Sequence, residues 1–471
     1  MLDLEDFIAE RGGNPEKIRE SQRRRGDSVE LVDQVIAAWE NARKAQYDVA
    51  QIGTRINAIQ KEIGLKKRNK ENADDLVQQK VELEKQKKVQ EGGVVEVQAA
   101  LRALAKTVGN YVHDSVLVSD NEDNNEIART WAPEGFDKAQ KPTYSHHDVL
   151  WRIGGYDPDR GTKLVGHRGY FLKDMGYWLN QALINYGMQF LYKKGYSPIQ
   201  PPFFLNKDQM AKTAQLSQFD EELYKVIEGP DPDTDKYLIA TSEQPISCMH
   251  SNEWLQPKEL PIKYAGSSTN FRKEAGSHGR DAWGLFRVHQ FEKIEQFVIC
   301  KADESWNFFD EMIAVSEEFY KSLGLPYQIV SIVSGALNNA AAKKYDLEAW
   351  FPFQSEYKEL VSCSNCTDYQ TRELEIRYGV KKNKEVGGGR KEYVHALNAT
   401  LCATGRTLCC ILENYQTEDG CKVPEVLRKY IPGEPDFIPF VKDAQDRQAK
   451  PEERSKEKGK TIPTRPTATK A

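Results

Sequence analysis

No stretch of this 471-residue sequence reaches the roughly 18 consecutive apolar residues that a membrane-spanning helix needs, so no membrane span is expected. Basic charge is not in excess. The net charge is −5 and the isoelectric point is near 6.0, so any contact with nucleic acid must come from local patches. Cysteine is sparse. Eight are scattered along the chain, which predicts a reducing, cytoplasmic setting. Cys363 and Cys366 form one CxxC, but no second pair follows at similar spacing, so no structural zinc is expected. The opening MLDLEDFIAERGG is acidic and resembles neither a secretory nor a mitochondrial leader. What is present is length enough for about two or three domains with ample core.

The stretch with most chemistry runs from Arg272 to Phe297. It reads as a hairpin: an apolar approach ending at Phe271, a Gly- and charge-rich loop from Ala275 to Gly284, and an alternating return strand from Leu285. Arg272 and Glu274 fall on one strand face, and Arg287, His289, Phe291 and Glu295 share parity on the return. Paired guanidiniums suit a polyphosphate, an exposed ring suits a base, and carboxylates beside them suit an ammonium group. A nucleotide beside an amino acid satisfies all three. A surface hairpin with cross-strand ion pairs satisfies the spacing equally well.

Residues 28–108 carry two heptad-like segments. The first places Val32, Val35, Trp39, Ala42, Val49, Ile52, Ile56, Ile59 and Ile63 at steps of mostly three and four, with Asp27 and Glu30 as its start signal. The second runs through Leu76, Leu83, Val94, Val97, Leu101, Leu104 and Val108, and is weakened by Lys87, Gln90 and the Gly92–Gly93 pair. The turn between, 64–72, holds Lys66, Lys67, Arg68 and Lys70, and Arg23, Arg24 and Arg25 lie at the base. A protruding antiparallel coil with a basic tip suits a phosphate backbone, and also suits plain dimerisation or scaffolding. Residues 111–165 read as a connector. Within it NEDNNE (121–126) is predicted as loop, and His146, His147 and Asp148 as solvated or capping residues.

Further along, 176–194 is a buried helix stopped by Gly195, and a proline-broken strand with Pro202 follows. Thr241 and Glu243 sit at a strand end and offer a hydroxyl and a carboxylate to an ammonium group, though TSE is also a good helix start. The segment 302–325 is an amphipathic helix with core aromatics. Glu359 and Ser362 are three apart in a strand-like block, so they converge only if the backbone is irregular there. A carboxylate at that point suits magnesium. HALNATLCATGRTLCC reads as a strand, a turn at Gly405 and a helix whose start carries Arg406, an arrangement that favours anions. GGGRKE (387–392) reads as a turn. The last residues are polar and slightly basic.

FRKE, a loop, then GLFRVHQFEKIEQ resembles motif 2 of the class II aminoacyl-tRNA synthetases, and RVHQFEKIEQ is similar to the seryl-tRNA synthetases. The 176–202 and 395–416 blocks resemble motifs 1 and 3. The resemblance implies an α+β fold: an antiparallel sheet flanked by helices, with an N-terminal coiled-coil arm. It implies an N-terminal domain at 1–110, a catalytic domain at 166–440 and a disordered tail at 441–471, of a kind familiar in eukaryotic and especially fungal enzymes.

It also implies roles. Arg272 would bind the ATP α-phosphate and the serine carboxylate, with Glu274 on the adenine side. Arg287 would support the phosphates, Val288 would frame the nucleotide and Phe291 would stack on adenine. Glu295, Thr241, Glu243, Asn398 and Thr400 would line the L-serine site. Glu359 and Ser362 would hold Mg2+ with ATP, and Arg406 the outer phosphates. The loop 277–283 would alternate between ATP and the tRNA 3′ end. Lys66, Lys67, Arg68 and Lys70 would meet serine tRNA, and Pro202 would belong to a homodimer interface. Two rivals stand beside this reading. One is a non-catalytic relative that binds tRNA or acts as a scaffold, which should have lost a motif arginine or carboxylate; none is lost. The other is a synthetase for another small amino acid.

Overall fold

The narrow apolar seam of the N-terminal third closes on itself. In the computed structural model, which describes residues 1–213, 221–274, 284–380 and 391–443, helix α1 (Pro15–Arg25) leads into α2 (Glu30–Arg68) and α3 (Asp74–Ala105). The last two pair as a long hairpin. At 1.5 Å per residue they span about 58 and 48 Å. All nine apolar seam positions of α2 are buried or half-buried. Helix α3 runs through Gly92 and Gly93 without a break. Its Lys87 lies half-buried over Gly53 of α2, so the stem packs while the ammonium reaches Glu91.

Three expectations for the arm need correcting. Asp27 does not cap α2: the cap position is Val29, and the Ser28 hydroxyl meets Glu30 instead. The turn is shorter than 64–72, because the helix continues to Arg68 and Lys70 takes the left-handed conformation at the tip. The base arginines are consumed by the fold. Arg24 donates to the carbonyls of Val112, His113 and Val116. Buried Arg25 donates to those of Asn110, Leu337, Asn338 and Ala341. Arg23 pairs with Glu16 and Glu20 at the surface.

The rest of the chain is built on an eight-stranded sheet. In chain order its strands are β1 (Glu126–Trp131), β2 (Ser197–Ile199), β3 (Ile262–Phe271), β4 (Gln290–Cys300), β5 (Tyr327–Ser331), β6 (Lys343–Phe351), β7 (Glu356–Asn365) and β8 (His395–Ala403). The spatial order is β1-β5-β6-β7-β8-β4-β3-β2, antiparallel throughout except for β2 on β3. The segment expected to be a connector therefore supplies an edge strand, and NEDNNE forms a 3-10 turn before entering it. Helices α4 (His146–Arg152), α5 (Asp174–Lys193), α6 (Glu243–Cys248), α7 (Ser305–Ser322), α8 (Tyr369–Glu373) and α9 (Thr404–Asn414) complete the parts used below. The main core packs α5, α7 and α9 on one sheet face. Gly187 lets α5 approach closely, because a Cβ there would lie 2.6 Å from Ile294 of β4.

His146 is not solvated. Ser145 caps α4, while His146 is buried with Nδ1 2.8 Å from Glu413 of α9. Burial alone would lower its pKa, but neighbouring Cys409 and Glu413 outweigh that and push it up to about 10.

Two outcomes follow from this packing. Arg25→Ala removes the guanidinium donor from the carbonyls of Asn110, Leu337, Asn338 and Ala341 and should cost about 3–5 kcal/mol of unfolding free energy, against about 0–1 for Arg23→Ala, measured by denaturant titration. The His146 contribution is complete below its unfolded pKa of about 6.5 and is lost as pH rises through about 10. The stability gap between the native chain and His146→Gln should therefore narrow with rising pH across that window.

Candidate active site

Strand alternation decides which side chains meet on the open face of the sheet. β3 and β4 pair in continuous register from Phe271↔Gln290 to Ile262↔Ile299. The return strand begins at Gln290, five residues later than the alternation suggested. Residues 284–289 instead fold across the cleft. Arg272 N donates to His289 O at 2.9 Å, and His289 Nδ1 lies 3.0 Å from Arg272 O. His289 is thus spent on the hairpin backbone and does not share the surface of Arg287 and Phe291. Gly284, at φ +72°, starts this crossing against His146. The expected mobile loop, Ser277 to Trp283, lies outside the described residues, as do most of 387–392 and all of 444–471.

A cleft of about 110 Å³ gathers Arg272, Glu274, Arg287, Val288, Phe291, Glu359, Ser362, Thr400 and Arg406, nine of the residues predicted from sequence. Arg272 stands 5.3 Å from the Phe291 ring centre and donates to Ala240 O. Arg287 lies 3.5 Å from Glu274, whose φ of +50° takes it out of the strand. Arg406 sits in the first turn of α9, which begins at Thr404 rather than after Gly405. It donates to Phe286 O at 3.3 Å and to Glu359 O at 3.1 Å, 4.8 Å over the Phe286 ring.

The irregular backbone required at Glu359 is present. Val361 faces Leu347 while Glu359 faces Glu348, so Leu360 is a bulge that turns Glu359 to the face of Ser362. A second bulge lies one strand away. Ile294 faces Cys402 while Glu295 faces Thr400, leaving Leu401 as the extra residue and putting Thr400 and Ala403 on one face.

Arg272 also borders a second cavity of about 510 Å³, shared with Thr241 and Glu243. Beneath it Glu295 is buried and surrounded by donors: the Thr241 hydroxyl at 2.8 Å, the Ser242 hydroxyl, Glu243 N at 3.1 Å and Lys293 Nζ at 2.5 Å. Burial would raise its pKa, but Lys293 and the two hydroxyls outweigh that and hold it below the usual carboxylate range. Glu243 moves the other way. Burial raises its pKa, and nearby Glu295 adds to this, against a hydrogen bond from Gln370. Asn398 is not among the residues lining either cavity. It donates to Cys366 Sγ at 3.5 Å. Cys363 and Cys366 are both buried, and among the described residues no three His, Cys, Asp or Glu side chains gather as metal ligands.

Lys293, Ser242 and Gln370 are absent from the residues predicted. Lys293 had a signal, since it lies midway between Phe291 and Glu295 on the same strand parity. Gln370 had none, because it arrives on α8 from far along the chain.

The predicted tRNA contacts Lys66, Lys67, Arg68 and Lys70 stand at the far end of the arm, and Pro202 is exposed beside β2.

Comparison with known proteins gives this geometry its context. The family model described as tRNA synthetase class II core domain (G, H, P, S and T) matches residues 224–415, and the seryl-tRNA synthetase N-terminal domain matches 1–112. The chain is 59% identical over 453 residues to the cytoplasmic serine–tRNA ligase of Candida albicans, covering 94% of this chain and 97% of that one. The cytoplasmic serine–tRNA ligase of Naegleria fowleri, solved with AMP, superposes with a TM-score of 0.81 at 50% identity, over 94% and 99% of the two chains. The Pyrococcus horikoshii seryl-tRNA synthetase, solved with ATP, gives the same TM-score at 34% identity, over 94% and 100%. With both domains matched and nearly the whole length shared, the chain belongs to the seryl-tRNA synthetases of class II.

Proposed function

We infer that this chain is a cytoplasmic serine–tRNA ligase that activates L-serine with ATP and transfers it to the 3′ end of serine tRNA. The observation that carries this is 59% identity, across almost all of both chains, to a serine–tRNA ligase. The motif residues a non-catalytic relative would have lost stand together around one cleft.

In the first step the serine carboxylate attacks the ATP α-phosphorus in line, giving seryl adenylate and pyrophosphate. In the second the terminal ribose 3′-hydroxyl of the tRNA takes the seryl group. That Arg272 borders both cavities supports its role of holding the α-phosphate and the attacking carboxylate together. Phe291 offers a ring to adenine, and Glu274 and Val288 frame it. Arg287 and Arg406 serve the phosphates. Thr241 and Glu243 take the serine ammonium, and Glu295 organises that loop from below. Thr400, opposite Glu295 on the neighbouring strand, lines the smaller cleft beside Arg272 and is assigned to the serine side chain. A site that hydrogen-bonds the hydroxyl rejects alanine strongly, because its polar groups would be left unpaired.

Glu359 and Ser362 fit a magnesium ion: an exposed carboxylate and a hydroxyl meet at the cleft through the Leu360 bulge. Behind Ser362, buried Asp346 has one carboxylate oxygen without a hydrogen-bond partner among the described residues. Bound with ATP, the ion supplies neutralisation of phosphate charge. The arm presents Lys66, Lys67, Arg68 and Lys70 to the tRNA backbone. Exposed Tyr177, Trp178 and Tyr192 on α5, together with exposed Pro202, suit a homodimer interface.

Glu295→Ala should reduce serine-dependent ATP–pyrophosphate exchange by on the order of 100-fold or more, because it also strands Lys293. Exchange near the native rate in folded protein would refute the role of Glu295. Removing the outer arm, residues 44–96 closed by a short turn, should leave that exchange intact and cut tRNA charging. Shortening there spares Lys106 and Val108, which touch the catalytic body. Unchanged charging would contradict the arm's role.

A further inference from the structure

Among the side chains lining the larger cavity, Gln370 has the least explained chemistry. It is 4% exposed and lies on α8 beside Tyr369. Its Nε2 donates to Glu243 Oε1 at 2.7 Å. Its Oε1 is buried and has no hydrogen-bond partner among the described residues. The orientation of the amide follows from the chemistry: a carboxylate accepts, so the NH2 faces Glu243 and the carbonyl is turned away. A buried amide oxygen without a donor costs folding free energy, and such groups persist where a ligand completes them. This one belongs to the wall that also holds Thr241, Glu243 and Arg272.

We propose that Gln370 is a positioning residue of the amino-acid site: its amide fixes the Glu243 carboxylate toward the substrate ammonium. The proposal rests on the assignment of that ammonium to Glu243. The helix that carries Gln370 is held firmly enough for the task. The Tyr369 hydroxyl donates to Val108 O at 2.8 Å and to Lys106 O at 3.2 Å. Glu373 pairs with Lys106 at 2.7 Å, and Arg372 with Asp368 and Asp3. Thr371 donates to Val394 O. The helix is thus tied to the base of α3 through Tyr369 and Glu373, to Val394 through Thr371 and to Asp3 through Arg372, while Gln370 reaches Glu243.

Glutamine suits this position because it donates to a carboxylate without adding charge. Burial favours the neutral acid at Glu243, and the Gln370 hydrogen bond opposes this. A neutral acid cannot pair with an ammonium group. A second carboxylate at position 370 would compete for a proton with Glu243.

The test uses the full-length chain and ATP–pyrophosphate exchange with serine as the varied substrate. Gln370→Met, close in volume and without a hydrogen-bonding amide, should raise the serine KM on the order of tenfold while the ATP KM stays near native. Gln370→Glu should give a serine KM that changes with pH across neutrality in a way the native enzyme's does not. A native serine KM in Gln370→Met overturns the proposal, and so does an equal rise in both KM values. If Gln370→Met does not fold, Gln370→Glu decides, and a serine KM with the native pH profile overturns it. Glu243→Gln separates the two layers. An unchanged serine KM in that variant refutes the ammonium assignment itself. A raised KM there with a native KM in Gln370→Met refutes the role of Gln370 alone.

Discussion

A buried carboxylate must be surrounded by donors or it will take a proton, and Glu295 is the point where this chain meets that requirement. Its partners come from two places. Lys293 is on the same strand, and Thr241, Ser242 and the backbone of Glu243 come from the loop that precedes α6. The charge therefore pins that loop to the sheet. Because the loop is pinned, Glu243 and Thr241 face the cavity that Arg272 borders.

Alternation along strands is the second constraint, and the site depends on breaking it twice. In an unbroken strand Glu359 and Ser362 would project from opposite faces. The bulge at Leu360 brings them together, and that at Leu401 does the same for Thr400 and Ala403 on the neighbouring strand. Both bulges lie under the cleft and nowhere near the sheet's outer edges. The apolar face pays nothing for this, since Leu401, Val361 and Leu397 remain in the core.

The arm and the body are joined by side-chain-to-backbone hydrogen bonds as well as by apolar packing. Arg25 and Asn110 each satisfy several carbonyls of the body, and Tyr369 returns the contact to the base of α3. A rod some tens of ångströms long exerts leverage on its root, and directional hydrogen bonds resist rotation better than a smooth apolar contact. Arg24 and Arg25 at the root are therefore parts of this joint.

The sequence by itself determined the coiled-coil arm, the three motifs in their order and most of the residues around the smaller cleft. Those features are local: heptad steps, strand parity and short runs whose chemistry is set within a few positions. It misjudged the start of the return strand and the role of His289, because residues 284–289 alternate like a strand yet are drawn across the cleft by backbone bonds to Arg272. It read Arg24 and Arg25 as charge for a phosphate, because the carbonyls they satisfy lie about 90 and 310 residues away. Lys293 is legible on strand parity, between Phe291 and Glu295. Gln370 was not legible at all. Only the tertiary structure decided that a five-residue helix would carry one amide to Glu243, because that meeting depends on how the arm's base, the sheet and α8 pack together, and no local spacing encodes it.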